Sequence, residues 1–187
     1  EPNLAYQSPK AFRAVLPGVE LPEINRQAPG GFQMPVAVFD SGLAPIYQKE
    51  PYIKASYNAI DPSAPVDDSL GHGTQMSLLA AGAALPIGLE NESSRTAPVI
   101  AIQGFDENGY TSNYTLIRGI SYAMENGARV LSLSWHSETK SRFLQQAIND
   151  AVSKGLTVVA AAGNEPTGNA VYPAAYESVI GVGALSP

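Results

Sequence analysis

Val36-Ala37-Val38-Phe39-Asp40-Ser41-Gly42 is a run of four apolar residues that ends on a carboxylate and a glycine turn. A run this short and this continuously apolar predicts a strand buried on both faces, as in a parallel sheet covered by helices. The same kind of run returns at Val99–Gln103, Val130–Ser134, Leu156–Ala162 and Val179–Ala184, with Tyr52–Tyr57 a weaker member. Between these runs the apolar period changes. Gly71–Ala84 reads as helical. Leu116, Ile117, Ile120, Ala123 and Met124 recur at helical spacing, with Gly127 where a C-terminal cap belongs. Phe143, Leu144, Ala147, Ile148, Ala151 and Val152 form a second stripe, stopped by Gly155. Repeated strand–helix alternation predicts an α/β fold with a doubly wound, mostly parallel sheet. In such sheets ligands gather at the carboxyl ends of the strands.

Composition narrows the function classes. The chain has 187 residues, long enough to bury a core, with 44% hydrophobic and 15% charged residues, which excludes a disordered polymer. A net charge of −6 argues against nucleic acid or an anionic membrane as partner. With no cysteine there is no disulfide framework and no thiolate metal site. The longest apolar tract, Leu78–Leu89, is interrupted by Gly82, Pro86 and Gly88 and is too short to span a bilayer. The first 35 residues hold Pro2, Pro9, Pro17, Pro22, Pro29 and Pro35 and read as an irregular arm (1–35) lying on a domain formed by 36–187. The start at Glu1 reads as a processed or trimmed product.

Three short segments bear chemistry. Asp40 ends the first apolar run, and it either stabilises a turn or is a buried carboxylate that orients a histidine. His72, in Gly71-His72-Gly73-Thr74, is one of two histidines and opens a helix that Thr74 would help to cap. Asn164 follows Ala160-Ala161-Ala162-Gly163, either as a strand-to-turn exit or as an amide donor aimed into a site. Asp40, His72 and Asn164 all fall at strand exits or a helix start, so they are expected at one crevice, with Asp40 and His72 in hydrogen-bond reach.

These segments, in this order, resemble the subtilisin-like serine endopeptidases, or subtilases, from about Pro35 to Leu185. The resemblance implies a subtilisin-like sheet, incomplete at the C-terminus, and a peptide or protein substrate. It makes His72 the general base, Asp40 its orienting carboxylate and Asn164 the oxyanion donor. Ser132, Leu133 and Ser134 correspond to the strand that pairs with an extended substrate. Ala161 and Gly163 belong to the small-residue wall beside the side chain preceding the scissile bond. Tyr172-Pro173-Ala174-Ala175-Tyr176 and the run after it extend the likeness.

Departures from the family pattern carry information too. The Gly-Thr-Ser segment that supplies the nucleophile is not found after Asn164, and Ser178 and Ser186 lack its context. The chain by itself is therefore expected to be inactive, with the serine on an absent segment. The other reading is a non-catalytic module that binds an extended peptide or partner protein. Gln75 stands where a second histidine is usual. Ser134 and Trp135 replace two glycines, so Trp135 either crowds or rebuilds the groove, or fills space left by missing C-terminal elements. His136 reads as an ordinary loop residue. No cofactor is implied; Asp61, Asp67, Asp68, Glu90 and Glu92 suit calcium chemically but form no ligand pattern, and solvated loop charge is the preferred reading. The family implies a secreted or periplasmic location. Strands Val36–Phe39, Val130–Leu133 and Leu156–Ala160 are expected to lose part of their cover. That face would be buried against a C-terminal segment, a second copy or the arm.

Overall fold

The computed structural model describes residues 5–7, 24–31, 33–85, 95–164 and 168–183. In chain order the strands are β1 (Ala5–Gln7), β2 (Val36–Asp40), β3 (Ile53–Asn58), β4 (Val99–Gln103), β5 (Tyr110–Ser112), β6 (Val130–Leu133), β7 (Thr157–Ala161) and β8 (Ile180–Val182). The helices are α1 (His72–Ala80), α2 (Asn113–Glu125) and α3 (Arg142–Ser153). Six strands form one wholly parallel sheet in the order β3-β4-β2-β6-β7-β8. β1 and β5 make a separate antiparallel pair that the periodicity did not foretell, because three residues are too few to show a period.

Register explains how the sheet is covered. Pairing of Val38 with Ala101 and Ser132, and of Ser132 with Val159, puts those residues on one face. Phe39, Ile102, Leu131, Leu133 and Ala160 lie on the other. α1 covers the first face over β2 and β4, where Leu78 and Ala81 pack with Val38, Val99 and Ala101. α2 and α3 cover the second, bringing Leu116, Ile120, Ala123, Leu144, Ile148 and Ala151 onto Phe39, Ile102, Leu131 and Leu133. Helices on both faces make the sheet doubly wound, as the alternation predicts. Beyond α1, over β6 to β8, the described residues cover the first face only thinly. Val130, Val159 and Ala161 are half-buried there, and Ile180 and Val182 are about half exposed.

Helix boundaries follow local chemistry. Ser112 and Ser141 cap α2 and α3, their hydroxyls accepting from the N–H groups of Thr115 and Leu144 at 3.2 Å each. Phe143 departs from the predicted stripe. It is 53% exposed, and the buried face of α3 is Leu144, Ile148 and Ala151. The helix expected over Gly71–Ala84 stops at Ala80, where Gly82 turns the chain. Of the proline-rich arm, Ile24 packs against the α1-side core, Asn25 N–H donates to Ala83 C=O at 2.7 Å, and Arg26 pairs with Glu50. Most of the arm, the loop with Glu90 and Glu92, and Ser186 lie outside the described residues.

Strand order reverses at β2, whose downstream connections pass first to β3 and β4 on one side and then to β6 on the other. Such a switch point opens a crevice at the carboxyl ends of the strands. The register shows it opening. β2 pairs with β4 through Asp40↔Gln103, but its pairing with β6 ends at Val38↔Ser132. Trp135 occupies the divergence from the side that α2 and α3 cover. Its indole is fully buried between Phe39 (ring centroids 6.2 Å) and Phe105 (5.8 Å), and its Nε1–H donates to Phe39 C=O at 2.9 Å. The indole is therefore in the core and does not crowd the groove.

Candidate active site

Asp40 is the last residue of β2 and is 1% exposed. His72 is the first residue of α1. Their side chains meet with Nδ1 of His72 2.7 Å from Oδ1 of Asp40. A carboxylate only accepts, so the shared proton sits on Nδ1 and leaves Nε2 with its lone pair. The same Oδ1 accepts from Ser41 N–H at 2.7 Å, which fixes the carboxylate from its own strand exit. Burial pushes the imidazole down. The hydrogen bond to Asp40, the charge of Asp40 and the charge of Asp68 together outweigh it and hold His72 above the usual histidine value. The pair is thus arranged to stabilise an imidazolium once His72 accepts a proton.

Close backbone approach makes this meeting possible. A Cβ on Gly73 would come within 2.5 Å of both N and O of Gly42, and within 3.0 Å of Ser41 N. These are backbone atoms that cannot rotate away. Glycine is therefore required where α1 starts against the exit of β2. Gly73→Ala is expected to push the start of α1 off that exit and break the Asp40–His72 bond. Urea denaturation should show a loss of stability of about 1–3 kcal/mol, the size that overpacking produces. An unchanged midpoint would contradict the close approach.

The helix start is capped, but not by Thr74 as expected. Asp68 does it from the preceding loop. Its Oδ2 accepts from Thr74 N–H (2.7 Å) and Oγ1 (2.6 Å), and its Oδ1 accepts from Gly71 N–H (2.8 Å) and Ser41 Oγ (2.8 Å). Reading Asp68 as solvated loop charge was therefore incorrect, because four donors converge on its carboxylate. The available sequence signal was an aspartate a few residues before a glycine-opened helix, in a loop with too many acidic residues to single one out. Asp61 and Asp67 are used by their own loop, Asp61 Oδ1 accepting from Ser63 and Asp67 Oδ1 from Asp68 N–H.

The remaining sequence-predicted residues lie along the same edge of the sheet. Asn164 follows Gly163 past the end of β7 and is exposed. Ser132 and Ala161 are half-buried on the α1 side of β6 and β7. Leu133 differs: its side chain is in the core on the opposite face, so only its backbone is left for an extended peptide. Ser134 follows the strand, half-buried. His136 is not simply out in a loop, since its ring lies 3.5 Å from where a Cβ on Gly163 would stand. Ser178 is engaged elsewhere, its hydroxyl donating to Asn149 Oδ1 at 2.7 Å.

Comparison with known proteins decides the family. The model of the subtilase family, peptidase S8, matches residues 32–187. The chain belongs to the subtilase family. Subtilisin Savinase of Lederbergia lenta is 32% identical over 166 residues, 89% of this chain and 61% of that protein. The minor extracellular protease Epr of Bacillus subtilis is 31% identical over 157 residues, 83% of this chain and 24% of its own length. Subtilisin E of Bacillus subtilis is 28% identical over 190 residues, 100% of this chain and 50% of that protein. The subtilase chain thus spans about a quarter to three-fifths of these relatives. Its parallel α/β sheet and its Asp40–His72 pair stand where the family resemblance put them. Among the described residues, no helix is long and apolar enough to cross a membrane.

Proposed function

We propose that this chain is the part of a subtilisin-like serine endopeptidase that carries the general base, its orienting carboxylate and an oxyanion donor. The observation that carries the reading is the 2.7 Å contact between His72 Nδ1 and a buried Asp40, in a chain of the subtilase family. A serine hydroxyl attacks the scissile carbonyl, and His72 Nε2 takes its proton as the C–O bond forms. Asn164 donates to the oxyanion. When the tetrahedral intermediate collapses, the C–N bond breaks and His72 returns the proton to the departing amine, Asp40 remaining ionised throughout. The peptide lies extended along Ser132–Ser134, and the side chain preceding the cleaved bond sits beside Ala161 and Gly163. None of these steps uses a cofactor.

In this reading the hydroxyl is supplied by a polypeptide segment other than these 187 residues, since no serine after Asn164 has the Gly-Thr-Ser context of the family's nucleophile. The thinly covered face of β6 to β8 is where such a segment, or a second copy, would pack. A secreted setting fits the relative named as an extracellular protease. The non-catalytic reading drew on Ser134 and Trp135 in the substrate strand, and with the indole in the core Trp135 no longer favours it.

The test is turnover of a peptide substrate together with fluorophosphonate labelling. The 187-residue chain should show neither. The polypeptide encoded by its gene with any downstream coding sequence should show both. Stoichiometric labelling of a serine within the 187 residues would defeat the reading. A longer product that binds peptide without cleaving it would establish the non-catalytic module.

A further inference from the structure

Asp68 does more than a helix cap requires. A cap needs only the bonds to Gly71 and Thr74. Asp68 also accepts from the Ser41 hydroxyl at 2.8 Å, and that hydroxyl in turn accepts from Gly73 N–H at 2.8 Å. Ser41 N–H donates to Asp40 Oδ1, the oxygen that holds His72. The bonds therefore close a ring: Asp40 to Ser41, Ser41 to Asp68 and to Gly73, and His72 back to Asp40. Thr74 adds a second strut, its Oγ1 accepting from Ala44 N–H at 2.9 Å while donating to Asp68. Of the covalent neighbours of the pair, Ser41 and Gly71 bond directly to this carboxylate, and Gly73 reaches it through the Ser41 hydroxyl.

We propose that Asp68 is a positioning residue for the Asp40–His72 pair: it binds the strand exit that carries the carboxylate to the helix start that carries the imidazole. Among the described residues, the charges of Asp40 from the end of β2 and of Asp68 from the loop before α1 both raise the pKa of His72. Removing Asp68 frees the Ser41 hydroxyl to rotate and leaves the N–H of Thr74 without its acceptor. His72 then loses both a fixed position and part of the negative potential that favours its protonated form. The inference rests on reading Asp40 and His72 as the acid–base pair. Its test measures the pair itself, so it can fail while peptidase assays of a serine-bearing polypeptide succeed.

The experiment is nuclear magnetic resonance of the imidazoles in the 187-residue chain, which has only two histidines, with His136→Gln assigning them. Two readouts are followed: the titration midpoint of His72 and the exchange broadening of its low-field Nδ1–H proton. Asp68→Asn should lower the midpoint, by less than Asp40→Asn does, and broaden the proton. Ser41→Ala keeps the Asp68 charge, so the midpoint should hold while the proton broadens. A folded Asp68→Asn protein with both readouts at wild-type values overturns the proposal. So does a lowered midpoint with an unbroadened proton, which would leave a charge effect without positioning. If Asp68→Asn does not fold, Ser41→Ala decides: an unbroadened Nδ1–H proton there overturns the proposal.

Discussion

Replacing His72 with alanine is expected to cut kcat by about 10⁶-fold in a polypeptide that joins this chain to a nucleophilic serine, and replacing Asp40 by about 10⁴; both magnitudes belong to subtilisin itself and are carried over from it. The physical reason lies in the geometry of the pair. With the Nδ1 proton held by Asp40 at 2.7 Å, Nε2 is the free base, and no other described residue is so placed. Asp40→Asn should also be severe, about 10⁴-fold as in trypsin-like enzymes, because an amide can offer an N–H to Nδ1 and so stabilise the wrong tautomer. Asn164→Ala should cost about 10²–10³, again the value for subtilisin. The check is kcat on a chromogenic peptide, with circular dichroism confirming the fold of each variant. A His72→Ala protein retaining a tenth of the activity would exclude the proposed mechanism. Equal losses for Asn164→Ala and His72→Ala would exclude the assigned roles.

Trp135→Ala is expected to destabilise the chain by about 3–5 kcal/mol, the range for truncating a large buried aromatic side chain. The indole touches Phe39 and Phe105 and has no exposed surface, so its removal leaves a cavity among residues that anchor β2. It also orphans the buried carbonyl of Phe39, which accepts the indole N–H at 2.9 Å. Trp135→Phe separates the two contributions. It keeps most of the apolar volume but offers no donor, and should cost about 1–3 kcal/mol. Urea unfolding followed by circular dichroism measures both. Because Phe39 precedes Asp40, the alanine variant should also weaken the Asp40–His72 bond, visible as broadening of the His72 Nδ1–H proton. A loss under 1 kcal/mol for Trp135→Ala would mean that the indole is not part of the core.

Periodicity made the principal strands and helices legible because their burial is itself periodic. Val36–Phe39 and Val99–Ile102 are apolar throughout because α1 covers one face and α2 and α3 the other. The Asp40–His72 meeting was legible from motif order and from the rule that strand exits share an edge. Other features were not. Leu133 sits in a segment expected to face substrate, yet alternation along β6 turns its side chain into the core. Phe143 fits a helical stripe by spacing, but the angle at which α3 packs leaves it in solvent. β1 and β5 are too short to carry a pattern.

By itself the sequence determined the class of sheet and the order of its principal elements, since each depends on residue type and local spacing, and its motif order marked Asp40 and His72 as neighbours in one crevice. Only the tertiary structure decided what Trp135 and Asp68 do. An isolated tryptophan carries no sign of which face it will enter; its place was set by β2 and β6 parting after Val38↔Ser132 and leaving a volume and a carbonyl to satisfy. An aspartate in an acidic loop is equally uninformative until four donors from two separate segments converge on it. Both roles arise from groups far apart in the chain meeting at one edge of the sheet, and such meetings are fixed by register and packing, not by local sequence.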